Sequence, residues 1–488
     1  MDGDGSDGLR EPDSRGRKLR VDGMNSRWLE AGLKIAVGDL GPAGSLRHRV
    51  ATRATVATLA VMMLAFSIAP LVNVARNTYY NKDYDLWQGT GRVVLAGQDI
   101  YPRTPGLFPF MYPPSCATML APLAPLTRGW FVAALLLLNS ASWTSVIVAS
   151  VYLATGRVRG VHPGLFLYPS IAVIPFVHDT YLLGQPALLL LALLLGAFVA
   201  IRKGWPVTAG ALVAVSAGIK AFPILAVGYF VYRRQWRATA ATIATLLVLT
   251  FVAPLAFRSP VQVAEDFTFW AKGMLFKYDE ESIGQRPDRA YSFKNQSIQA
   301  TVHRLARPVL ADGEADRRWQ VNLISLDFAS VTSLMLGLIG AMGLFTLWST
   351  WKSGKEPPPS DAVEHAMVAL LILMLAPLSF NYSYVWLIFP LTVLGHFAGN
   401  APAGSSLKRW SLGSIVLSVG LLALALPFRR TSQAYGNIFF SGLVPFISLG
   451  VILHYGWITQ LRRPNPALVG PRDDLAGRVV DGSRRIGR

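Results

Sequence analysis

The sequence is poor in charged residues and has almost no cysteine. Charged side chains make up 15% of its 488 residues, whereas soluble globular proteins average roughly 25%. The single cysteine, Cys116, excludes an internal disulfide and any metal site built from cysteines. We expect it to pack inside a helix. The composition therefore excludes an ordinary soluble domain and a disulfide-stabilised one.

The short motifs of many soluble enzymes are also lacking. No Walker loop, G-x-S-x-G elbow, H-E-x-x-H helix or dinucleotide fingerprint occurs in a suitable context. The basic connectors between apolar segments are short, and short loops cannot build a nucleotide-binding domain. Nothing therefore indicates a site for a nucleotide sugar on the cytoplasmic side.

Long apolar runs are what the sequence has instead. Hydrophobic residues make up 52% of the chain, and the mean hydropathy is +0.38. Runs suited to a hydrocarbon core of ~30 Å recur throughout the middle of the chain. They predict an all-α integral membrane protein that crosses the bilayer many times. The apolar segments are 54–75, 112–126, 131–153, 164–178, 186–201, 206–219, 221–232, 238–256, 324–348, 363–380, 384–399, 411–427 and 438–460.

The distribution of charge predicts the topology. The formal net charge is +18, but Arg and Lys lie in short connectors, as the positive-inside rule requires of cytoplasmic loops. We therefore expect a multi-pass protein of the plasma (inner) membrane that contacts lipids and no nucleic acid. Residues 1–49 and 462–488 are predicted to be disordered cytoplasmic tails around one membrane domain at 50–461.

Two cytoplasmic ends require an even number of crossings, which predicts about twelve spans from the thirteen segments. The segment that fails to span is 112–126 or 164–178, since both are short. The connector that carries Arg157 and Arg159, if it is cytoplasmic, favours 112–126 as a re-entrant or incomplete crossing.

The segments 206–219 and 221–232 form a predicted re-entrant hairpin with Lys220 at its tip. Basic residues flank the pair on both sides, and at ~1.5 Å per residue each arm reaches only about 20 Å. An ammonium group at that depth needs an anionic partner. Two interpretations remain open: Lys220 reaches water or a buried carboxylate, or it contacts a lipid phosphate.

A polar segment, 81–102, follows the first span on the side opposite the basic connectors. Asp83 and Asp85 precede a short predicted amphipathic helix, and at a spacing of two they cannot share one helix face. One is expected to point into a site and the other toward solvent or a helix cap. Both N-capping and general base catalysis remain open for this pair. Tyr84, Trp87 and Tyr112 could pack on a sugar or lie at the membrane interface, and we expect the interface, where Trp and Tyr are common.

Further polar residues occur at the outer ends of helices. Each of them alone is an ordinary cap or loop residue, but their common face would let them converge on one interfacial cavity. They are His178, Asp179, Gln185, Asn295, Gln296, Arg304, Asn381 and Tyr382.

In their order along the chain, these motifs resemble glycosyltransferase family 87, integral membrane enzymes of the GT-C superfamily. The resemblance covers roughly residues 50–461 and implies a GT-C-type helical bundle of about twelve transmembrane helices whose outer-face loops carry short helices. It rests on Asp83-Tyr84, Trp87, Gly91-Arg92, Gly97, Tyr101, Tyr112-Pro113-Pro114, Gly184-Gln185, Lys220 with Pro223, and Asn295-Gln296-Ser297.

The resemblance implies transfer of a sugar, most simply a hexose such as mannose, from a polyprenyl-phosphate donor. The acceptor would be a lipid or glycan at the extracytoplasmic face, and the displacement would be single and inverting. Asp83 would be the general base, with Asp85 as the fallback. Lys220, helped by Arg92 or Arg304, would stabilise the leaving phosphate. Substrate contacts are expected from Asp85, Arg92, Tyr112, Gln185, Lys220, Asn295, Gln296, Asn381 and Tyr382.

No cofactor is expected, and a metal is not required because lysine and arginine can neutralise a phosphate leaving group. The segment 379–384 departs from the family, which often carries a histidine there. The role of that histidine would pass to Asn381 or Tyr382, or be absent.

Two other functions are compatible with the sequence. A polytopic transporter would account for Lys220 and the hairpin, but not for polar residues gathered at one face. A lipid-linked polysaccharide ligase or polymerase would need several arginines in one large outer loop. The segment 257–323 contains Arg286, Arg289, Arg304 and Arg307.

Overall fold

The fold comes from a computed structural model, and the structure describes residues 45–77, 81–102, 109–285, 290–312, 319–351 and 360–462. Within these ranges it contains eighteen α-helices, three isolated β-bridges and no strand. The predicted all-α class is confirmed. The predicted tails lie outside the described residues except at their inner ends, where the first helix already begins at Leu46.

The helices are numbered in chain order. They are α1 (Leu46–Ala75), α2 (Asp83–Leu95), α3 (Pro114–Leu120), α4 (Arg128–Thr155), α5 (Gly164–Ala172), α6 (Ile174–Leu183), α7 (Ala187–Arg202), α8 (Pro206–Ile219), α9 (Ala226–Tyr232), α10 (Trp236–Leu247), α11 (Pro260–Trp270), α12 (Ile298–Ala306), α13 (Phe328–Thr350), α14 (Ser360–Leu375), α15 (Ile388–Asn400), α16 (Ser406–Ala423), α17 (Ala425–Ala434) and α18 (Asn437–His454).

Five helices are long and apolar enough to cross a membrane: α1, α4, α10 with its continuation to Ala256, α13 and α18. Two bent pairs, α5–α6 with a bend of 71° and α16–α17 with a bend of 89°, raise the number to seven if each pair is one span. The chain is therefore a polytopic membrane protein. The predicted number of about twelve is not confirmed, because several apolar runs form helices that are short for a span, including α7 and α8.

The segment 112–126 does not cross. Its helix α3 has seven residues and is followed by a 3₁₀ turn, Ala121–Leu123. Seven helical residues span only about 10 Å, which is too short to cross a ~30 Å core and agrees with the expected incomplete crossing. Cys116 is buried in this helix, as expected.

The predicted break at Lys220 is present. Helix α8 ends at Ile219, and Lys220 has an extended backbone with φ −148° and ψ 126°. A 3₁₀ turn with Pro223 follows and leads into α9. Proline lacks the amide hydrogen that a continuous helix would need, which accounts for the irregular turn between the two arms.

The helices pack into a bundle, and the first predicted aspartates lie at one of its two ends. Helix α4 packs on α7 and α15, and α8 packs between α7 and α10. At the far end, ion pairs hold the start of α14: Arg202 bonds Asp361 through two nitrogens at 2.7 Å, and Arg233 Nε donates to Glu364 at 2.9 Å. At the near end, α2 packs on α3 and on the beginning of α4.

Candidate active site

The start of α2 is fixed against the end of α1. The buried side chain of Asn81 donates to the Pro70 carbonyl at 3.2 Å and accepts from Asn73 at 3.3 Å. Lys82, the next residue, has φ +53°, a conformation that residues with a side chain adopt at a cost. This local arrangement orients the first turn of α2, which carries both predicted aspartates.

Asp85 has a structural set of partners. Arg128, the first residue of α4, donates from Nε and Nη2 to its two oxygens at 2.8 Å each. The backbone amide of Asn81 donates to the same carboxylate. A bidentate guanidinium–carboxylate pair is among the strongest charged contacts, so Asp85 joins α2 to α4 and caps the turn before α2.

Asp83 faces a different set of residues. It accepts a hydrogen bond from Gln185 Nε2, and Gln185 Oε1 accepts one from the Tyr112 hydroxyl at 3.0 Å. Burial raises the pKa of Tyr112 well above its ordinary value, and the nearby Tyr382 and Asp83 raise it further. The phenol therefore stays protonated and holds the Gln185 amide with its nitrogen toward Asp83.

Gln185 is placed by the end of α6. The helix stops at Gly184, whose φ of +74° is left-handed and is accessible to glycine without a steric cost. A Cβ on Gly184 would also lie 3.0 Å from the Tyr84 ring. The Tyr84 hydroxyl donates to the Tyr181 carbonyl at 2.6 Å, so α2 and α6 are locked together beside the site.

The expectation that the aromatic residues of this region lie at the membrane interface is wrong. Tyr84, Trp87 and Tyr112 are 0%, 5% and 3% exposed. The ring of Trp87 packs on that of Tyr112 with centroids 4.6 Å apart. These residues belong to the core because α3 and α6 pack on α2. The amphipathic pattern of α2 alone does not predict that packing.

Lys220 approaches the same place from the hairpin. Its ammonium nitrogen lies 5.6 Å from the centroid of the Tyr382 ring and 5.4 Å from that of Phe222. The hydroxyl of Ser115 in α3 donates to the Gly218 carbonyl at 2.7 Å and thereby ties the hairpin tip to the site. We call Asp83, Tyr112, Gln185, Lys220 and Tyr382 the Asp83 cluster.

Asn295 and Gln296 hold the segment that carries Tyr382. Asn295 Oδ1 accepts from the backbone N–H of Ser379 at 3.1 Å, and the backbone N–H of Gln296 donates to the Ser379 carbonyl at 2.7 Å. Asn381 in turn donates to Gln433 Oε1 at 3.1 Å. The described hydrogen bonds of all three predicted residues therefore go to protein groups next to Tyr382.

The two predicted arginines lie elsewhere. Arg92 is exposed, nine residues after Asp83 and so about 13 Å along α2, and its Nε donates to the Ala124 carbonyl at 3.3 Å. Arg304 is fully buried and donates to the carbonyls of Ala434 at 3.0 Å and Ser292 at 2.9 Å. Burial lowers the pKa of Arg304 to about 9, which leaves it charged at neutral pH as an internal tie.

Sequence reasoning missed Arg128 and Gln433. Arg128 had one usable signal, since a basic residue directly after Thr127 opens a long apolar helix. Gln433 carries no signal of its own, because its contacts with Asn381 and Gln296 come from distant parts of the chain. Among the residues that the structure describes, no three His, Cys, Asp or Glu side chains gather as metal ligands do.

The Asp83 cluster joins a carboxylate oriented by a hydrogen-bonded amide to a cation that approaches from another helix. Such a pair can accept a proton from a hydroxyl and stabilise a developing anion. Asn295, Gln296 and Asn381 hold the segment that carries Tyr382, and Asp85 fixes the helix that carries Asp83.

Comparison with known proteins gives two matches. Residues 110–377, more than half of the 488-residue chain, match the family model described as Glycosyltransferase family 87. A protein of Mycobacterium tuberculosis is 24% identical in an alignment of 389 positions, which covers 73% of this chain and 80% of that protein. It is named polyprenol-phosphate-mannose-dependent alpha-(1-2)-phosphatidylinositol mannoside mannosyltransferase.

Proposed function

Because the chain belongs to glycosyltransferase family 87, of the GT-C type, we propose that it transfers a mannosyl unit or a related hexose from a polyprenyl-phosphate donor. The acceptor is a lipid-linked or glycan hydroxyl. The donor and acceptor classes are supported by the name of the mycobacterial relative, which depends on polyprenol-phosphate-mannose and acts on a phosphatidylinositol mannoside.

Asp83 is the proposed general base. The observation that carries this assignment is the chain of hydrogen bonds from Tyr112 through Gln185 to Asp83, which orients one carboxylate oxygen. Tyr382 lies near Tyr112 on one side and near Lys220 on the other, which links the lysine to the same cluster. Asp83 takes the proton of the acceptor hydroxyl while that oxygen attacks the anomeric carbon. The neighbouring Asp85 is committed to Arg128 and serves to position α2.

Lys220 is the proposed partner of the leaving group. As the bond between the anomeric carbon and the phosphate oxygen breaks, its electron pair passes to the phosphate, whose negative charge increases. A fixed ammonium in a partly buried site stabilises this charge more in the transition state than in the ground state. One displacement of this kind inverts the anomeric centre, and the sugar passes through an oxocarbenium-like state as in glycoside hydrolysis.

The proposal also includes the orientation of the protein in the membrane. The Asp83 cluster lies at the end of the bundle opposite the basic connectors, and the positive-inside rule favours a cytoplasmic position for those connectors. The site therefore faces the extracytoplasmic side of the plasma membrane, both termini are cytoplasmic, and residues 50–461 form the catalytic membrane domain.

Sugar transfer by the purified protein in liposomes tests the proposal. Radiolabelled polyprenyl-phosphate mannose is the donor, a lipid extract is the acceptor, and wild type runs beside Asp83→Asn and Asp85→Asn. Asn at position 83 can still accept the Gln185 hydrogen bond but cannot take a proton, so kcat should fall about 10²- to 10⁴-fold with an unchanged thermal midpoint. Asp85→Asn should retain transfer and lower the thermal midpoint, because the ion pair with Arg128 is lost.

The opposite pattern, with transfer lost only in Asp85→Asn, would move the base to Asp85. Absence of transfer by wild type from polyprenyl-phosphate mannose and from other polyprenyl-phosphate sugars, such as the arabinofuranose compound, would refute the proposed donor class.

A further inference from the structure

Two cavities lie one after the other between the two bent helix pairs, α5–α6 and α16–α17. The outer cavity has a volume of about 580 Å³ and the inner one of about 350 Å³. Ala172 and Val419 line both, so the cavities meet at these two residues near the bends. Together they form a slot, and we keep the names outer and inner cavity for its two parts.

The outer cavity adjoins the Asp83 cluster. Asn381 lines it and directly precedes Tyr382, whose ring faces Lys220. Asp179 lines it as well and is close enough to Lys82, the residue before Asp83, to interact with it electrostatically. A molecule whose head lies in the Asp83 cluster can therefore extend past Asn381 into the slot.

The slot extends through the depth of the bundle. Arg128 at the start of α4 bonds Asp85 beside the site, and Thr155 at the end of α4 lines the inner cavity. The 28 residues of this helix correspond to about 42 Å, more than the ~30 Å of a hydrocarbon core. The inner cavity thus lies toward the membrane face opposite the site.

The outer cavity has polar as well as apolar walls, since His178, Asp179 and Arg429 line it, and the inner cavity is polar at its far end. Leu391 and Ile415 line the inner cavity, whereas His396 and the exposed Arg157 line its far end. The Asn400 side chain donates to the His396 carbonyl at 2.8 Å, which fixes this polar floor. The slot also opens sideways, since Tyr168 of α5, another wall residue, is 44% exposed where lipid would lie.

We propose that the inner cavity binds the distal end of the donor's isoprenoid chain and that its polar floor sets the chain length the enzyme accepts. This inference rests on the proposed function. An acyl chain of a glycerolipid reaches about half of the ~30 Å core, so it would fill the outer cavity only. A polyprenyl chain is long enough to continue into the inner cavity, where it gains van der Waals contacts with the walls and stops at the polar floor.

The test narrows the inner cavity and compares two donors. Ile415→Trp places a large ring in the inner cavity, and Val416→Trp is the matched control because Val416 is the next residue of α16 and is 51% exposed. KM and kcat are measured in liposomes with full-length polyprenyl-phosphate mannose and with citronellyl-phosphate mannose, a short-chain analogue. Leu165→Phe narrows the cavity from the opposite wall and replaces Ile415→Trp if that variant does not accumulate.

Ile415→Trp should raise KM for the full-length donor on the order of 10-fold, with KM for the short donor and both kcat values unchanged. Val416→Trp should change neither KM. An equal effect on both donors, no effect on either, or a rise in the KM of the acceptor instead would overturn the inference while the enzyme remains active. Inactivity of wild type with both donors would refute the proposed function itself.

Discussion

Asp83 and Asp85 lie in the same helical turn, and their different partners explain how one helix can supply both a chemical group and its support. Successive positions on a helix point about 100° apart, so two residues separated by two positions face nearly opposite directions. One direction leads to Gln185 and Tyr112, the other to Arg128. A shift of α2 by two residues would bring Asp85 to the position of Asp83. It would therefore break both the ion pair with Arg128 and the hydrogen bonds that reach Asp83 through Gln185.

Lys220 gives the sharpest test of electrostatic stabilisation. In Lys220→Met the leaving phosphate loses its cation, and kcat should fall on the order of 10²- to 10³-fold. Lys220→Arg should recover part of the rate, because the charge is kept and only its position changes. Sugar transfer under saturating donor is the measurement.

The exposed Lys272 provides the control, since it is not a member of the Asp83 cluster: Lys272→Met removes the same charge and should leave kcat unchanged. If Lys220→Met kept its full rate, the leaving-group role would be refuted and Lys220 would belong to the packing of the hairpin tip.

The residue at which helix α6 ends determines the position of Gln185. Gly184 turns the chain so that Gln185 reaches Asp83, and two physical demands meet at this residue: a positive φ and close contact with the Tyr84 ring. A side chain with φ in the left-handed region costs roughly 1–2 kcal/mol, and a Cβ 3.0 Å from a ring adds a steric cost because real Cβ contacts are rarely that short.

Gly184→Ala should therefore lower both stability and activity. The expected loss of stability is more than the roughly 1–2 kcal/mol of backbone strain alone, and kcat should fall because the Gln185 amide is displaced. Gly204→Ala is the matched control: Gly204 has the same φ of +74°, but no atom lies within 4 Å of the added Cβ. Thermal unfolding in detergent and sugar transfer are measured for both.

Equal losses of stability in the two alanine variants would mean that the Tyr84 contact adds nothing beyond backbone strain. Unchanged transfer in Gly184→Ala would separate the end of α6 from the position of Gln185.

The break in the hairpin of α8 and α9 can be predicted from the sequence, whereas the contacts of Lys220 cannot. Its break follows from local features, namely two short apolar arms, a lysine and Pro223, and it was predicted at the correct residue. The partners of Lys220 were not predicted in the same way, because Tyr382 reaches it from a segment far along the chain.

At the scale of the whole molecule, His303 links the loop region to the bundle. Arg307 can only donate, so His303 Nδ1 at 3.2 Å from it is the acceptor, and Nε2–H donates to the Tyr278 hydroxyl at 2.7 Å. That hydroxyl lies 3.0 Å from Thr332 Oγ1 in α13. The network requires a neutral imidazole, and burial, helped by Arg307, lowers the pKa of His303 to about 4.

This pKa predicts the pH dependence of stability. A histidine whose pKa is about 4 in the folded state and ordinarily about 6.5 in the unfolded state takes up protons preferentially on unfolding. Its contribution to stability is complete above pH 6.5 and is lost progressively as the pH falls toward 4. The thermal midpoint of wild type should decline over this interval, and His303→Asn should show a flatter profile.

His48→Asn, at the start of α1, is the control and should keep the wild-type profile. Parallel profiles for wild type and His303→Asn would assign the acid sensitivity to other groups.

The sequence by itself determined the class of the protein and the type of its chemistry. Long apolar segments and a low content of charge require a helical membrane bundle, because the backbone N–H and C=O groups in lipid must be hydrogen-bonded within the chain. The order of motifs from Asp83 to Asn295 indicated the family, which the comparison confirmed. Hydropathy and short motifs are local properties of the chain, so they can be read without coordinates.

Only the tertiary structure decided which predicted residues meet. Tyr112 and Gln185 join Asp83, whereas Arg92 lies about 13 Å away along the same helix and Asn295 supports the segment of Tyr382 from behind. The number of long spans and the slot between the bent pairs were likewise decided by packing. Contacts between distant segments depend on how whole helices bend and pack against one another, and no local pattern of residues specifies that arrangement.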